Sequence, residues 1–197
     1  SVPFEKLNLT DWTTVREVAF VLEAWNVDFR QGAMLIDDIS FSFLGKKGSM
    51  KIISIANQKG GCGKTTTAIN LASTLAFNGQ RVLLLDLDPQ AHATLGLNID
   101  DGNSLYNVIS KLTPRKLKIR DIIKKVSRNF DIVPSNVLVG TLEQELADEI
   151  GRELKLTETL AEIKDQYDYI LIDCPPSLGF LTVNAIRASD EAIIPVE

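Results

Sequence analysis

The chain has 197 residues, 45% of them hydrophobic and 24% charged, with a formal net charge of −5. That length holds one full core and a small appendage, and the acid excess excludes a general attraction to nucleic acid or anionic membranes, leaving only a local patch for either. No apolar run nears the ~18 residues a membrane span needs, and the N-terminus lacks the basic start and apolar block of a secretory signal, so the sequence reads as soluble and intracellular.

In chain order, the first 47 residues differ from the rest. "VREVAFVLEAW" alternates Val18, Phe20 and Leu22 on one face, and "MLIDDISFSF" does the same with Ile39, Phe41 and Phe43. These are two strand patterns separated by a turn around Gln31-Gly32, too few strands to stand alone. The pair is similar to the closing strands of a β-sandwich carbohydrate-binding module. "GKKGSM" follows, in which Gly48-Ser49 reads as a linker and Met50 as a natural start. Residues 1–49 are accordingly expected to be a β-rich tag or fusion remnant, an authentic N-terminal extension being the alternative.

From Lys51 strands and helices alternate. "KIISIA" is a short buried strand, a glycine loop follows, and a periodic helix runs from Thr65 to about Asn78. "RVLLLDLD" is a continuous apolar run, as in a parallel strand covered on both faces. "FDIVPS" is a third strand, residues 137–166 supply helical sequence with a break near Gly151, "YDYILIDCP" is a fourth strand, "GFLTVNAIRAS" a helix and "EAIIPVE" a fifth strand. The alternation predicts an α/β fold with a doubly wound parallel sheet in three layers.

The loop "ANQKGGCGKTTTA" between the first strand and helix carries the chemistry. A loop of backbone N–H groups at a helix N-terminus surrounds phosphate oxygens when no bulky side chain intrudes. Gly60, Gly61 and Gly63 permit that approach, Lys64 reaches the terminal phosphates, and the Thr65 hydroxyl is placed to ligate Mg²⁺. The usual phosphate loop has a glycine where this chain has Gln58. "KGGCGKTT" instead resembles the deviant Walker A motif of the ParA/MinD family of ATPases, which implies ATP and Mg²⁺ as ligands and a phosphate cradle over Lys59, Gly60, Gly61, Cys62, Gly63, Lys64, Thr65 and Thr66. In that family the early lysine, here Lys59, crosses a dimer interface to the phosphates of the partner subunit. The resemblance therefore implies an ATP-dependent homodimer.

Aspartates at the ends of parallel strands face the ligand crevice. "DLDPQ" offers Asp86 and Asp88, one to hold a metal-bound water and the other to orient an attacking water. The stretch is similar to switch I of the ParA/Soj branch, which assigns hydrolysis to Asp88 alongside Lys59 and Lys64. The family commonly continues with Gly-Asn where this chain has Ala91-His92, and His92, with no partner acid nearby, reads as a solvated loop residue. "YILIDCPPS" fits a Walker B strand with Asp173 at its tip, completing an expected metal set of Thr65, Asp86 and Asp173, and Pro175-Pro176 stiffen the loop that follows. Cys62 and Cys174 show no metal-ligand spacing and read as reduced thiols; they are misplaced for the cluster of nitrogenase iron-protein relatives.

"KLTPRKLKIRDIIKKVSR" holds eight basic residues and one acid, Asp121. It is the best local candidate for a polyanion or partner surface, against the simpler reading of a solvated helix face. The resemblance covers residues 50–197 and implies a chromosome- or plasmid-partitioning switch, cytoplasmic and nucleoid-associated, with a ParB-type partner that stimulates hydrolysis and nonspecific DNA as the other ligand. It also implies further strand and helix units beyond Glu197. Alternatives are a related regulator of cellular positioning or cellulose synthesis, and a metabolic ligase such as a dethiobiotin synthetase relative.

Overall fold

The computed structural model describes residues 50–99 and 102–196; the strand readings within residues 1–49 lie outside them. Strand β1 (Lys51–Ile55) leads through the glycine loop into helix α1 (Lys64–Phe77), then β2 (Val82–Asp86) and the short helices α2 (His92–Gly96), α3 (Leu105–Ile109) and α4 (Ile119–Ile122). Strands β3 (Lys124–Ser127) and β4 (Phe130–Val133) follow, then α5 (Leu142–Glu145), α6 (Lys155–Ala161), β5 (Tyr169–Asp173), α7 (Phe180–Ala188) and β6 (Glu191–Ile193).

The six strands form one sheet in the order β3-β4-β2-β5-β1-β6. Five are parallel, as the alternation predicts. The sixth, β3, is antiparallel to β4 and corrects the five-strand reading. It lies inside the basic run, where Asn129 takes a left-handed conformation, φ +64°, at the turn into β4. A strand of four residues with two lysines carries too weak an alternation to be read from sequence, and those lysines suit an edge that must not pair further. The basic run is therefore not a helix face: it is a loop, one helical turn and an edge strand.

Register explains the layering. Ile53 pairs with Leu171, Leu171 with Leu84, and Leu84 with Ile132, a row of apolar side chains across four strands. α1 packs against these strands and buries Ala68, Leu71, Ala72, Leu75 and Ala76. The alternate residues, Leu83, Leu85, Ile170 and Ile172, join a second cluster with Leu105, Leu142, Leu156, Leu160 and Phe180 from the helices of the other layer. All five residues of β2 are buried, which is why it reads as an unbroken apolar run. The expected helical stretch 137–166 is present as short pieces, 3₁₀ turns at Val137–Thr141, Arg152–Leu154 and Lys164–Gln166 together with α5 and α6. Gly151 at φ +76° makes the break where the glycine predicts it.

Candidate functional site

The central strands β1, β5 and β2 end side by side, and their C-terminal edge gathers most of the chemistry-bearing residues. Leaving β1, Asn57 fixes the loop: its side-chain amide donates to the Pro195 carbonyl at 2.6 Å and its Oδ1 accepts the Lys59 N–H at 2.9 Å. Gly61 and Gly63 then adopt left-handed conformations, φ +77° and +83°, and a Cβ on either would project into open space. That open space is what a phosphate chain must occupy, so both the dihedrals and the clearance account for glycine here. Gly63 is the N-cap of α1, and no side chain caps this 14-residue helix. Its first-turn N–H groups lack intrahelical partners and lie at the positive end of the dipole.

Lys64 is buried at 7% exposure, with its ammonium donating to the Lys59 carbonyl at 2.9 Å. Cys62 Sγ also donates to that carbonyl, at 3.2 Å, and lies 3.9 Å from the Lys64 ammonium. Both cysteines are buried free thiols, and burial above all, with the Asp173 charge, pushes Cys174 up to about 12. Thr65 is half-buried at the start of α1, while Thr66, Lys59, Gly60 and Gly61 are exposed.

Asp86 and Asp173 are register partners at the tips of β2 and β5, and both are fully buried. Asp86 Oδ2 accepts the Thr94 N–H at 2.9 Å and its hydroxyl at 2.7 Å, and Oδ1 accepts the Asp88 N–H at 3.1 Å. Burial raises its pKa and the Thr94 hydrogen bonds oppose the rise. Neither oxygen of Asp173 meets hydrogen-bond geometry, although the Thr65 hydroxyl lies near enough to act on its charge. Its carboxyl is pushed up to about 7, chiefly by burial; the neighbouring Thr65 hydroxyl favours the charged form, the Asp86 and Asp88 charges oppose it, and Lys64 favours it. A buried carboxylate with two orphaned oxygens beside a threonine hydroxyl fits a hard cation such as Mg²⁺, which takes oxygen ligands. Among the described residues, no group of three or more His, Cys, Asp or Glu side chains could hold a metal by itself.

Asp88 is 7% exposed, and its Oδ1 accepts the Gln90 N–H at 2.9 Å. Ala91 follows at φ +55°, a conformation that explains why the related motif prefers glycine there. His92 is exposed at the start of α2, as expected for a solvated residue. The basic run is engaged with its own chain: Lys111 pairs with Glu149, Lys125 with Asp131 at 2.9 Å, and Arg120 donates to the Glu162 carbonyl at 2.6 Å. Sequence reasoning missed Thr94 and Ser135, because their hydrogen bonds join three segments that no spacing rule connects.

Residues 50–197 match the model of an AAA-domain family, AAA_31. The chain belongs to this family, as a ParA/Soj-type ATPase segment. It is 47% identical over 148 residues to the sporulation initiation inhibitor protein Soj of Bacillus subtilis, covering 75% of this chain and 58% of that one. Among solved structures it resembles a cobyrinic acid a,c-diamide synthase from Mycobacterium smegmatis with bound ADP and magnesium, at TM-score 0.70 and 34% identity over 75% of this chain and 60% of that one. A plasmid partition protein from Borrelia burgdorferi bound to AMPPNP matches at TM-score 0.66 and 34% identity, over 75% and 63%. The chain thus spans somewhat over half the length of the proteins it matches. No helix among the described residues is long and apolar enough to cross a membrane.

Proposed function

We propose that the chain binds Mg·ATP at this edge and hydrolyses it to ADP and phosphate, and that nucleotide state sets its pairing with a second copy in plasmid or chromosome partitioning. The observation that carries the reading is the conjunction of an uncapped α1 behind left-handed glycines with an orphaned buried carboxylate, Asp173, one strand away. The backbone of residues 59–66 would cradle the phosphates, Lys64 would exchange its carbonyl partner for phosphate oxygen, and Thr65 and Asp173 would hold Mg²⁺, with Asp86 adjacent. When bound, Mg²⁺ neutralises charge on the phosphate oxygens. Asp88 would orient the attacking water, and Lys59, exposed at the loop entrance, would reach the phosphates held by the partner copy.

Solved relatives holding ADP and magnesium or AMPPNP support the ligand class, and relatives named for chromosome partitioning support the partitioning role. The proposal takes nonspecific DNA and a ParB-type protein as partners, in the cytoplasm and at the nucleoid. The cobyrinic acid synthase favours a second reading, a metabolic ligase on the same scaffold. Turnover measured with and without DNA plus a ParB-type protein, and with candidate acceptor acids, separates the two. Lys64→Ala should abolish nucleotide binding, and Asp88→Ala should keep binding while lowering turnover at least about a hundredfold. Undiminished hydrolysis in Asp88→Ala would remove that residue from the mechanism.

A further inference from the structure

Asp86 and Asp173 stand next to each other on neighbouring strands, yet their oxygens are used in opposite ways. Asp173 has neither in hydrogen-bond geometry. Asp86 has Oδ2 occupied by both donors of Thr94 and Oδ1 by the Asp88 N–H. The Thr94 hydroxyl, its proton given to Asp86, accepts the Ser135 N–H at 2.9 Å. Asp86, Thr94 and Ser135 are 0%, 4% and 3% exposed, so water does not compete for these bonds.

One carboxylate therefore pins the loop that carries Asp88 at both ends, at the Asp88 amide and again at Thr94, and Thr94 ties the loop onward to the segment after β4. The loop needs such a clasp. α2 has only five residues and cannot hold itself, and Ala91 is in a conformation that alanine disfavours. Gly140 lies close beside the same loop, and a Cβ added there would meet Pro89 Cγ at 3.3 Å.

We infer that Asp86 acts as the anchor of the Asp88 loop rather than as a metal-facing carboxylate, and that Thr94 is a positioning residue for hydrolysis, linking β2, α2 and β4 through its hydroxyl. The hydrolytic part of this inference rests on the function proposed above; the clasp does not. Removing the hydroxyl strands the Ser135 amide and leaves Asp86 short of a donor, while the phosphate loop is untouched.

The test compares Thr94→Val, Thr94→Ser, Asp86→Asn and Asp173→Asn in the full chain. Without nucleotide, amide hydrogen exchange over residues 88–97 should rise about tenfold or more in Thr94→Val, return toward the parent in Thr94→Ser, and stay unchanged over residues 59–67. In a Mg²⁺ titration of a fluorescent ATP analogue, Asp173→Asn should raise the Mg²⁺ requirement about tenfold or more, with Thr94→Val and Asp86→Asn within about threefold of the parent. Turnover in Thr94→Val should fall about tenfold at an unchanged KM for ATP, with recovery in Thr94→Ser. An Asp86→Asn requirement for Mg²⁺ as high as that of Asp173→Asn would overturn the assignment, as would parental exchange and turnover in Thr94→Val. Should Thr94→Val fail to fold, Asp86→Asn decides through the Mg²⁺ arm. If the parent chain binds no nucleotide, the proposed function fails while the exchange arm still tests the clasp.

Discussion

At Asp173 and Ala91 local energetics conflict with chain geometry. The Asp173 carboxyl binds a proton in the folded chain up to about pH 7, whereas in the unfolded chain it loses that proton near pH 4. The folded state therefore holds the extra proton between those values, and stability without ligand is fully present at low pH and declines as pH rises toward 7, by an amount on the order of a few kcal/mol. Thermal melts from pH 5 to 8 should show this decline in the parent chain and lose most of it in Asp173→Asn. Mg·ATP should raise stability at pH 8 in the parent, and in Asp173→Asn only at a higher Mg²⁺ concentration. Ala91 offers a simpler test. At φ +55° it bears the left-handed penalty of a Cβ, partly offset by its lower unfolded entropy than glycine, so Ala91→Gly should raise stability by up to about 1 kcal/mol in urea unfolding.

At the scale of elements, strong local signals carried the reading and tertiary contacts carried the rest. β1, β2, β4 and β5 were legible because strands buried on both faces are mostly apolar, and α1 because the glycine loop and periodic alanines and leucines mark its start and face. β3 was not, since an edge strand held by one neighbour needs no apolar pattern. The helical region 137–166 was legible as helical but not as fragmented, because its pieces are held by tertiary packing rather than by their own length: α6 and the Arg152–Leu154 turn against α7, and the Val137–Thr141 turn against α3 and α5. The phosphate loop was readable as a contiguous motif, whereas the Thr94 clasp, assembled from β2, α2 and β4, was not. α3 shows a local device at work: Ser104 Oγ accepts the Tyr106 N–H at 3.2 Å, the Ser104 N–H donates to Asn107 Oδ1, and the hydroxyl also donates to Asn136 Oδ1 at 3.0 Å. Ser104→Ala removes the cap and one of the two donors to Asn136 Oδ1, which keeps the Leu138 N–H, so a loss of about 1 kcal/mol is expected, measurable by chemical denaturation.

For the whole molecule, the site edge and the outer face of α7 make different demands on solvent. Val183 and Ile186, three residues apart on α7, are 48% and 49% exposed, and Ile194 beyond β6 is 63% exposed. Exposed apolar side chains at i and i+3 on one helix favour association that ignores nucleotide. Replacing Val183 and Ile186 with glutamine should lower nucleotide-independent aggregation in light scattering and leave ATP binding intact, which isolates any pairing that ATP itself drives. Pairing through Lys59 requires the triphosphate to favour the dimer over the monomer by a differential affinity.

The most direct measurement is sedimentation velocity of the chain and of Lys59→Ala, each with ADP and with a non-hydrolysable ATP analogue. The parent should be a monomer with ADP and a dimer with the analogue, and Lys59→Ala should bind the analogue yet remain a monomer. A Lys59→Ala chain that dimerises with the analogue as the parent does would contradict pairing through Lys59.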